Sequence, residues 1–317
     1  MTKDNVDGGL VDGKVAIITG AGRGLGREHA LLLAQHGAKV LVNDLGAAAD
    51  GNGADDGPAH EVAALIRERG GEALVNGSNV ADFTAAGEMV QQAVDAWGQV
   101  DILVNNAGIL RDKMIFSMEE DDWDAVINVH LKGHFCPTRH VAAHWRARVK
   151  AGEESVNGRI VNTASPSGLY GNVGQCNYGA AKAGIATLTT VWALELARLG
   201  VTVNCLAPTA MTRLVLGVMD ESKVTDEMME SMAPRWISAV MAWLCSDEAR
   251  NVTGRVFDVR GDRIQIAEGW HGGPVGENTG DPTDLGPVMG KLMAEARLNS
   301  DLFGNDVEGP GRPSQSI

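Results

Sequence analysis

Three residues near the middle of the chain have the types and spacing of an acid/base site. Tyr178, one of only two tyrosines, precedes Lys182 by four residues, so a helix would place both on one face. Ser165 ends an apolar run that predicts a strand. A tyrosine hydroxyl has a pKa near ~10, and we expect the neighbouring ammonium to lower it by roughly 1–3 units. The three side chains could then move a proton on or off a carbinol oxygen, with Ser165 hydrogen-bonded to the same oxygen.

A glycine-rich turn upstream predicts a dinucleotide site. Residues 14–19 form a buried apolar run, followed by Thr19-Gly20-Ala21-Gly22-Arg23-Gly24-Leu25-Gly26 and by a helical pattern. Glycines let the backbone approach a pyrophosphate, and the N-terminus of the helix offers free N–H groups to it. The spacing is T-G-x-x-x-G-x-G and not the G-x-G-x-x-G of other dehydrogenases.

These motifs, in this order, resemble the short-chain dehydrogenase/reductase family over residues 13–261. The resemblance also rests on Asn105-Asn106-Ala107-Gly108 and on the stretch from Pro208 to Thr212. It implies that Ser165, Tyr178 and Lys182 are catalytic, and that Lys182 also binds the nicotinamide ribose. The cofactor-binding positions it implies are Gly20, Arg23, Gly24, Leu25, Gly26, Asp44, Asn79, Val80, Asn106, Ala107, Gly108, Tyr178, Lys182, Pro208 and Thr212.

Strand and helix patterns alternate along the chain, which predicts an α/β fold with a parallel sheet covered on both faces. Together with the resemblance, this predicts a Rossmann-type doubly wound sheet of about seven strands in a single domain with a C-terminal extension. The predicted strands are 14–19, 38–43, 72–76, 100–105, 158–164, 201–206 and 255–259. The predicted helices are 24–36, 58–69, 82–97, 119–148, 176–199 and 235–246.

Two segments depart from a minimal domain. Residues 209–234 stand where the family carries a substrate lid, and we expect short helices there. The family domain spans residues 1–261, and residues 262–317 form an extension with a helical pattern near 284–297. We expect this extension to pack on the domain or on a neighbouring subunit, and about the last 13 residues to be disordered.

The residue that ends the second strand bears on the choice of cofactor. Asp44 can accept hydrogen bonds from both adenosine ribose hydroxyls and would repel a 2′-phosphate, which favours NAD. Arg23 favours NADP, because a cation in the glycine turn can contact that phosphate. In the family's geometry the strand end lies closer to the ribose, so we expect NAD, with NADP as the alternative. Asn79-Val80 takes the place of the family's common Asp-Val pair beside the adenine.

A histidine occupies the family's fourth catalytic position. The family has asparagine in a V-N-L-x-G stretch, where it holds a water that links the lysine to solvent. Here the stretch is Val129-His130-Leu131-Lys132-Gly133. An imidazole could hold that water or pass protons itself, so we include His130 in the catalytic set. We interpret His134, His140 and His144 as a surface or subunit-facing helix edge and predict no metal site, because no carboxylate or Cys motif accompanies them.

Local similarity narrows the substrate class. The chain resembles a branch that contains the (3R)-hydroxyacyl-CoA dehydrogenase domain of peroxisomal multifunctional enzyme type 2, also described as a 17β-hydroxysteroid dehydrogenase, and actinobacterial relatives linked to lipid and sterol breakdown. The resemblance implies NAD-dependent oxidation of a secondary alcohol, most simply a 3-hydroxyacyl-CoA. A hydroxysteroid dehydrogenase, an NADPH-dependent 3-oxoacyl reductase and a non-catalytic nucleotide sensor are the alternatives. The blocks that carry it are 42–46, 105–112, 129–133 and 170–178, and candidate cations for CoA phosphates are Arg111, Lys113 and Arg213.

The composition limits the partners. The 317 residues carry a formal net charge of −14, which argues against nucleic acid or an anionic membrane as a general partner. The polar N-terminus predicts no signal peptide, and no apolar run reaches the length of a membrane span. Four well-separated cysteines indicate reduced thiols and a cytoplasmic location. By resemblance, residues 119–148 and 176–199 form a dimer-forming helix pair, so we expect a homotetramer or homodimer.

Overall fold

The computed structural model describes residues 9–212, 224–278 and 280–307, and they are built around one eight-stranded sheet. The strands are β1 (Val15–Thr19), β2 (Lys39–Asn43), β3 (Ala73–Asn76), β4 (Ile102–Asn105), β5 (Arg159–Thr163), β6 (Thr202–Thr209), β7 (Val256–Arg260) and β8 (Arg263–Ala267). Their order is β3-β2-β1-β4-β5-β6-β7-β8. Strands β1 to β7 are parallel, and the order reverses between β1 and β4, where doubly wound sheets bind ligands at the carboxyl ends of the strands.

Helices cover both faces of the sheet. They are α1 (Gly24–Gln35), α2 (Gly57–Glu68), α3 (Phe83–Trp97), α4 (Glu120–Ile127), α5 (Gly133–Lys150), α6 (Pro166–Tyr170), α7 (Cys176–Leu196), α8 (Asp226–Ser231), α9 (Pro234–Cys245) and α10 (Leu285–Glu295). Successive strand residues face opposite cores: Ile18 packs on the side of α1 and α9, and Ile17 on the side of α3 and α5. Both faces are therefore buried, which explains why the strands read as continuous apolar runs.

The predicted helix 119–148 is interrupted. A π-helical turn, Asn128–Lys132, separates α4 from α5 and carries His130. Such turns are rare and occur often at functional sites. Our prediction of one continuous helix over 119–148 did not include this turn.

The sheet has one more strand than the seven that we predicted. Strand β8 pairs antiparallel with β7 through the two-residue connection Gly261-Asp262. A Gly-Asp pair between two alternating runs is a hairpin signal, so the sequence did contain the information for β8. Strand β6 also runs three residues further than predicted, to Thr209, and thus includes Pro208.

The lid and the extension are partly described. Helix α8 confirms a short helix within residues 209–234, whereas residues 213–223, including Arg213, lie outside the described residues. Helix α10 matches the helical pattern predicted near 284–297. The expectation of disorder for about the last 13 residues falls mainly on 308–317, which also lie outside them. Within the described ranges, no helix combines the length and apolarity that crossing a bilayer requires.

Candidate active site

Strand β5 and helix α7 bring the three acid/base residues together at the carboxyl edge of the sheet. Ser165 follows β5 and caps α6, where its Oγ accepts the N–H of Ser167 at 3.2 Å. Tyr178 and Lys182 lie one turn apart on α7. A side-chain hydrogen bond joins Ser165 to Tyr178, and Lys182 Nζ lies 5.5 Å from the centroid of the Tyr178 ring. The predicted Ser/Tyr/Lys set is therefore one cluster.

The electrostatics of this cluster differ from our sequence expectation. Burial of its hydroxyl raises the pKa of Tyr178 to about 12, although the hydrogen bond with Ser165 acts in the opposite direction. We expected Lys182 to lower this pKa, but burial also lowers the pKa of Lys182 to about 7, so its own charge is only partial at neutral pH. Desolvation depends on tertiary packing, which the four-residue spacing does not encode.

Lys182 is held by the strand before Ser165. Its side chain is 2% exposed, and Nζ donates to the backbone carbonyl of Thr163 at 2.6 Å. The N–H of the same residue, Thr163, donates to Nε2 of His134 at 3.4 Å. The position of the lysine amine is thus fixed by β5 and, through it, by the start of α5.

His130 lies against the tyrosine, but it does not carry a charge. Its ring meets the Tyr178 ring edge to face, with the centroids 5.1 Å apart, and its Nε2 lies 2.7 Å from the carbonyl oxygen of Ile109. Burial and then the charge of Lys182 hold the pKa of His130 well below its usual range. Its Nδ1 is buried and has no hydrogen-bond partner within the described part of the chain. The neutral ring packs on Tyr178.

One histidine interpretation was wrong. We predicted His134 on a surface edge, yet it is 1% exposed, and burial lowers its pKa to about 3. The π turn shifts the angular register of the helix, so that His134 faces β5. His140 is only partly buried, and its Nε2 donates to the carbonyl of Phe83 at 2.8 Å. In the described ranges, no three His, Cys, Asp or Glu side chains are grouped as metal ligands would be.

The glycine turn fits a dinucleotide. Gly20 and Gly24 adopt positive φ angles of 62° and 53°, which glycine tolerates best. A Cβ on Gly26 would overlap the carbonyl oxygen of Gly20, so this position permits the close approach of turn and helix. Leu25 packs into the core beneath the turn. The first turn of α1 has no acidic residue, and its N–H groups remain available for a pyrophosphate.

The fourth strand supports this turn from the side. Asn106 donates from Nδ2 to the carbonyls of Thr19 and Gly20, at 3.0 and 3.1 Å, and Ala107 N–H donates to Thr19 Oγ1 at 3.1 Å. Gly108 has no room for a side chain, since a Cβ would overlap the His130 ring. Asn106 therefore shapes the turn, a role that the family resemblance did not specify.

The remaining cofactor positions surround the same turn. Thr212 faces Gly24: a Cβ added to Gly24 would lie 3.7 Å from the Cβ of Thr212. Val80 is buried against Gly133, and Asn79 is exposed and accepts the N–H of Ala81 at 2.9 Å. Pro208 lies inside β6, in register with Val259 of β7. Each predicted position thus lies at the carboxyl edge of the sheet or supports it.

Asp44 and Arg23 make different contacts around the glycine turn. The Asp44 carboxylate accepts the N–H groups of Gly22 and Gly46, both at 2.7 Å. Arg23 turns away, toward the acidic loop 46–57: it donates to Ala47 O at 3.4 Å and lies 4.0 Å from a carboxylate oxygen of Asp55. The negative charge lies beside the turn, and the positive charge of Arg23 is partly compensated.

The sequence did not reveal two neighbours of Tyr178. Asn177 is fully buried; it donates to the carbonyls of Arg111 and Asp122, and its Oδ1 accepts the Tyr178 N–H at 2.7 Å. The Asp112 carboxylate accepts from Gln175 at 2.7 Å and raises the pKa of Tyr178. The block 170–178 contained Asn177, but no local pattern assigns it to the facing loop.

The candidate CoA-binding cations are engaged with the protein. Lys113 pairs with Asp122 at 2.6 Å, and Arg111 donates to the carbonyls of Asp50 and Asp121 at 2.8 and 3.3 Å. Within the described part of the chain Arg111 forms no salt bridge, whereas Lys113 is paired with Asp122. Of the two, Arg111 is better placed to meet an anionic ligand.

Comparisons with known proteins agree with this geometry. A family model described as short chain dehydrogenase matches residues 14–219. The chain is 43% identical over 265 residues to hydroxyacyl-CoA dehydrogenase ChsB1 of Mycobacterium tuberculosis, covering 82% of this chain and 81% of that protein. It is 42% identical over 259 residues to peroxisomal multifunctional enzyme type 2 of Drosophila melanogaster, covering 82% of this chain and 40% of that protein. The crystal structure of a short chain dehydrogenase from Mycobacterium avium is 51% identical, with a TM-score of 0.82, covering 92% of this chain and 98% of that one.

Proposed function

The chain belongs to the short-chain dehydrogenase/reductase family and is thus an oxidoreductase of hydroxyl or keto groups that uses a nicotinamide cofactor; from this premise, we propose that it oxidises the secondary alcohol of a 3-hydroxyacyl-CoA with NAD. The convergence of Ser165, Tyr178 and Lys182 beside the glycine turn carries the proposal. The name of the relative ChsB1 supports the acyl-CoA substrate.

The residues of the chain divide the proton chemistry among them. The Tyr178 hydroxyl is protonated at neutral pH, because its pKa is about 12, so it first passes its proton to the neutral amine of Lys182. As phenolate it then accepts the carbinol proton, and Ser165 donates a hydrogen bond to the oxygen as it becomes a carbonyl. The Lys182 amine donates to the carbonyl of Thr163 and faces the phenol ring. Because the pKa of Lys182 is about 7, its amine takes up and releases a proton near neutral pH. His130 keeps the Tyr178 ring in place. The cofactor, when bound, supplies the hydride acceptor.

The preference for NAD follows from the charges around the turn. The Asp44 carboxylate accepts a hydrogen bond from Gly22 in the turn, and the Arg23 guanidinium lies near the Asp55 carboxylate. A 2′-phosphate placed there would meet Asp44 and would have to compete with Asp55 for Arg23. An adenosine ribose would instead find acceptor oxygens.

We further propose that the protein acts as a homo-oligomer in a reducing compartment such as the cytoplasm. The outer face of α7 is exposed and carries no charge over about four turns, at Ala180, Ala183, Thr187, Thr190, Val191 and Leu194. Such a face fits a second copy of the same helix. All four cysteines are free, and three of them are buried, as expected of a protein that does not depend on disulfides.

The experiment that tests the proposal is a panel of substrates and cofactors. NAD and NADP reduction are compared by absorbance with a (3R)-3-hydroxyacyl-CoA and with a hydroxysteroid. We expect NAD reduction with the acyl-CoA. Activity with NADP alone would favour a 3-oxoacyl reductase, and activity with the steroid alone would favour a hydroxysteroid dehydrogenase.

A further inference from the structure

The C-terminal extension returns to the carboxyl edge of the sheet through a compact turn, residues 299–307, here called the tail turn. Its ends pair: Val307 N–H donates to Asn299 O at 2.8 Å. The Asp301 carboxylate accepts the N–H groups of Phe303 and Asn305, at 2.8 and 2.9 Å. These bonds give the tail turn a defined shape although no helix or sheet contains it.

Arg260, the last residue of β7, binds the tail turn. Its Nη2 donates to the carbonyl of Leu302 at 2.7 Å, and its guanidinium lies 4.5 Å from the centroid of the Phe303 ring. Arg260 also pairs at 3.3 Å with Asp258, which is 2% exposed. A buried carboxylate thus orients the arginine, and the arginine fixes both the backbone and the aromatic side chain of the tail turn.

A second contact links the tail turn to the acid/base site. Gly304 packs on Tyr170 so closely that a Cβ would lie 3.0 Å from the ring and from its hydroxyl oxygen, and its φ is +76°. Tyr170 ends α6, the helix that Ser165 caps, and its hydroxyl shares a hydrogen bond with Asp258. The tail turn, Arg260, Asp258 and Tyr170 therefore form one continuous contact network.

This placement sets a length scale for a substrate. The five residue steps from Ser165 to Tyr170 rise about 7.5 Å along α6, and the tail turn lies beyond them, against the ring and hydroxyl of Tyr170. A small hydroxyacyl group held at Ser165 would end before it, whereas a long acyl chain or a ring system would reach it. Phe303 is 54% exposed there, so the part of its ring that Arg260 does not contact offers an apolar surface.

We propose that the tail turn is the distal wall of the substrate cleft and that Phe303 determines the preference for acyl groups long enough to reach it. The inference rests on the proposed function, because it assigns the wall to the substrate held by Ser165 and Tyr178. Arg260 is a positioning residue for this wall.

The test compares Phe303→Ala with Trp270→Ala, which removes a fully exposed aromatic residue of the same extension. Each variant is assayed with a short and a long 3-hydroxyacyl-CoA. For Phe303→Ala we expect kcat/KM to fall about tenfold with the long substrate, mainly through KM, and by less than about twofold with the short one, because only the long chain loses apolar contact. Trp270→Ala should change neither.

Equal effects of Phe303→Ala on both substrates, or none on either, would overturn the inference and leave the proposed function standing. A wild-type protein inactive with both substrates would instead overturn the proposed function, and the inference with it. A second measurement needs no substrate: hydrogen exchange of residues 299–307 should be faster in Arg260→Ala than in the wild type. Equal exchange would mean that the tail turn is not docked, which also overturns the inference.

Discussion

Lys182 places an ionisable amine where water cannot reach it. Its folded pKa of about 7 lies below the ordinary value of 10.5, so the unfolded chain binds more protons between these pH values. The free energy of unfolding therefore rises as the pH increases from about 7 to 10.5. A difference of one pKa unit corresponds to about 1.4 kcal/mol. At neutral pH the burial of Lys182 therefore lowers the free energy of unfolding by several kcal/mol at most.

The variant Lys182→Met removes that cost together with the function of the lysine. We expect a melting temperature higher by roughly 5 °C or more at pH 7, with turnover lost. The difference from wild type should narrow as the pH approaches 10, where the native lysine is neutral in the fold. Differential scanning calorimetry at pH 7 and pH 10 measures this, and a gap that widens with pH would contradict the burial argument.

Asp44 carries the cofactor preference in our proposal. Asp44→Asn keeps a side chain of the same shape but removes the charge and one of the two acceptor oxygens, so either Gly22 or Gly46 loses its acceptor. We expect kcat/KM with NAD to fall and that with NADP to rise, so that their ratio changes by about tenfold or more. Steady-state kinetics with both cofactors decide this. The matched variant Asp55→Asn, which releases Arg23, should raise activity with NADP alone.

At the scale of elements, the hydrophobic periods predicted the seven parallel strands and the helices between them with small errors at their ends. Three features were missed: strand β8, the π turn and the five-residue helix α6. Strand β8 is an edge strand with exposed Ile264 and Ile266, and its hairpin signal was present. The π turn at Asn128–Lys132 has no comparable signal.

The uncharged face of α7 predicts an oligomer. A carboxylate at Leu194, which is 76% exposed, would place charge in an apolar contact between copies and leave a monomer intact. We expect Leu194→Glu to shift the sedimentation coefficient toward that of the monomer. Met293→Glu, at a position 70% exposed on α10, is the control and should leave the assembly unchanged. A wild-type protein that sediments as a monomer would contradict the proposed homo-oligomer.

At the scale of the molecule, three buried histidines make the stability of the fold depend on pH. Burial lowers the pKa of His29 and of His134 to about 3, and that of His130 also lies well below its usual range. The unfolded state takes up these protons below pH 6.5 and the folded state does not. Stability is therefore present above that pH and is lost as the pH falls, by up to about 4 kcal/mol per pH unit for three sites.

Urea unfolding at pH 7 and pH 5.5 tests this linkage. We expect a clearly lower midpoint at pH 5.5. His29→Gln, which retains a polar partner for Ser238, should reduce the difference by about a third, since one of three protons no longer contributes. His271→Gln, at an exposed position, should leave the difference as it is in wild type. A midpoint independent of pH would contradict the neutral state of the buried rings.

The family resemblance read from the ordered motifs is confirmed, and the structure brings Tyr178 and Lys182, which the resemblance implies are catalytic, close together. It could not give their ionisation. The raised pKa of Tyr178 and the neutral rings of His130 and His134 arise from desolvation by residues distant in sequence. The contacts of Arg260 with the tail turn join residues about forty positions apart, and no local pattern predicts them.

The most direct test of the central claim is NADH formation by wild type and Tyr178→Phe with a (3R)-3-hydroxyacyl-CoA, after NAD binding by both has been measured by calorimetry. Loss of the hydroxyl removes the proton acceptor and leaves the ring that packs on His130. The account predicts unchanged NAD affinity and a rate reduced by about a thousandfold or more. A variant that binds NAD and turns over at nearly the wild-type rate would contradict it.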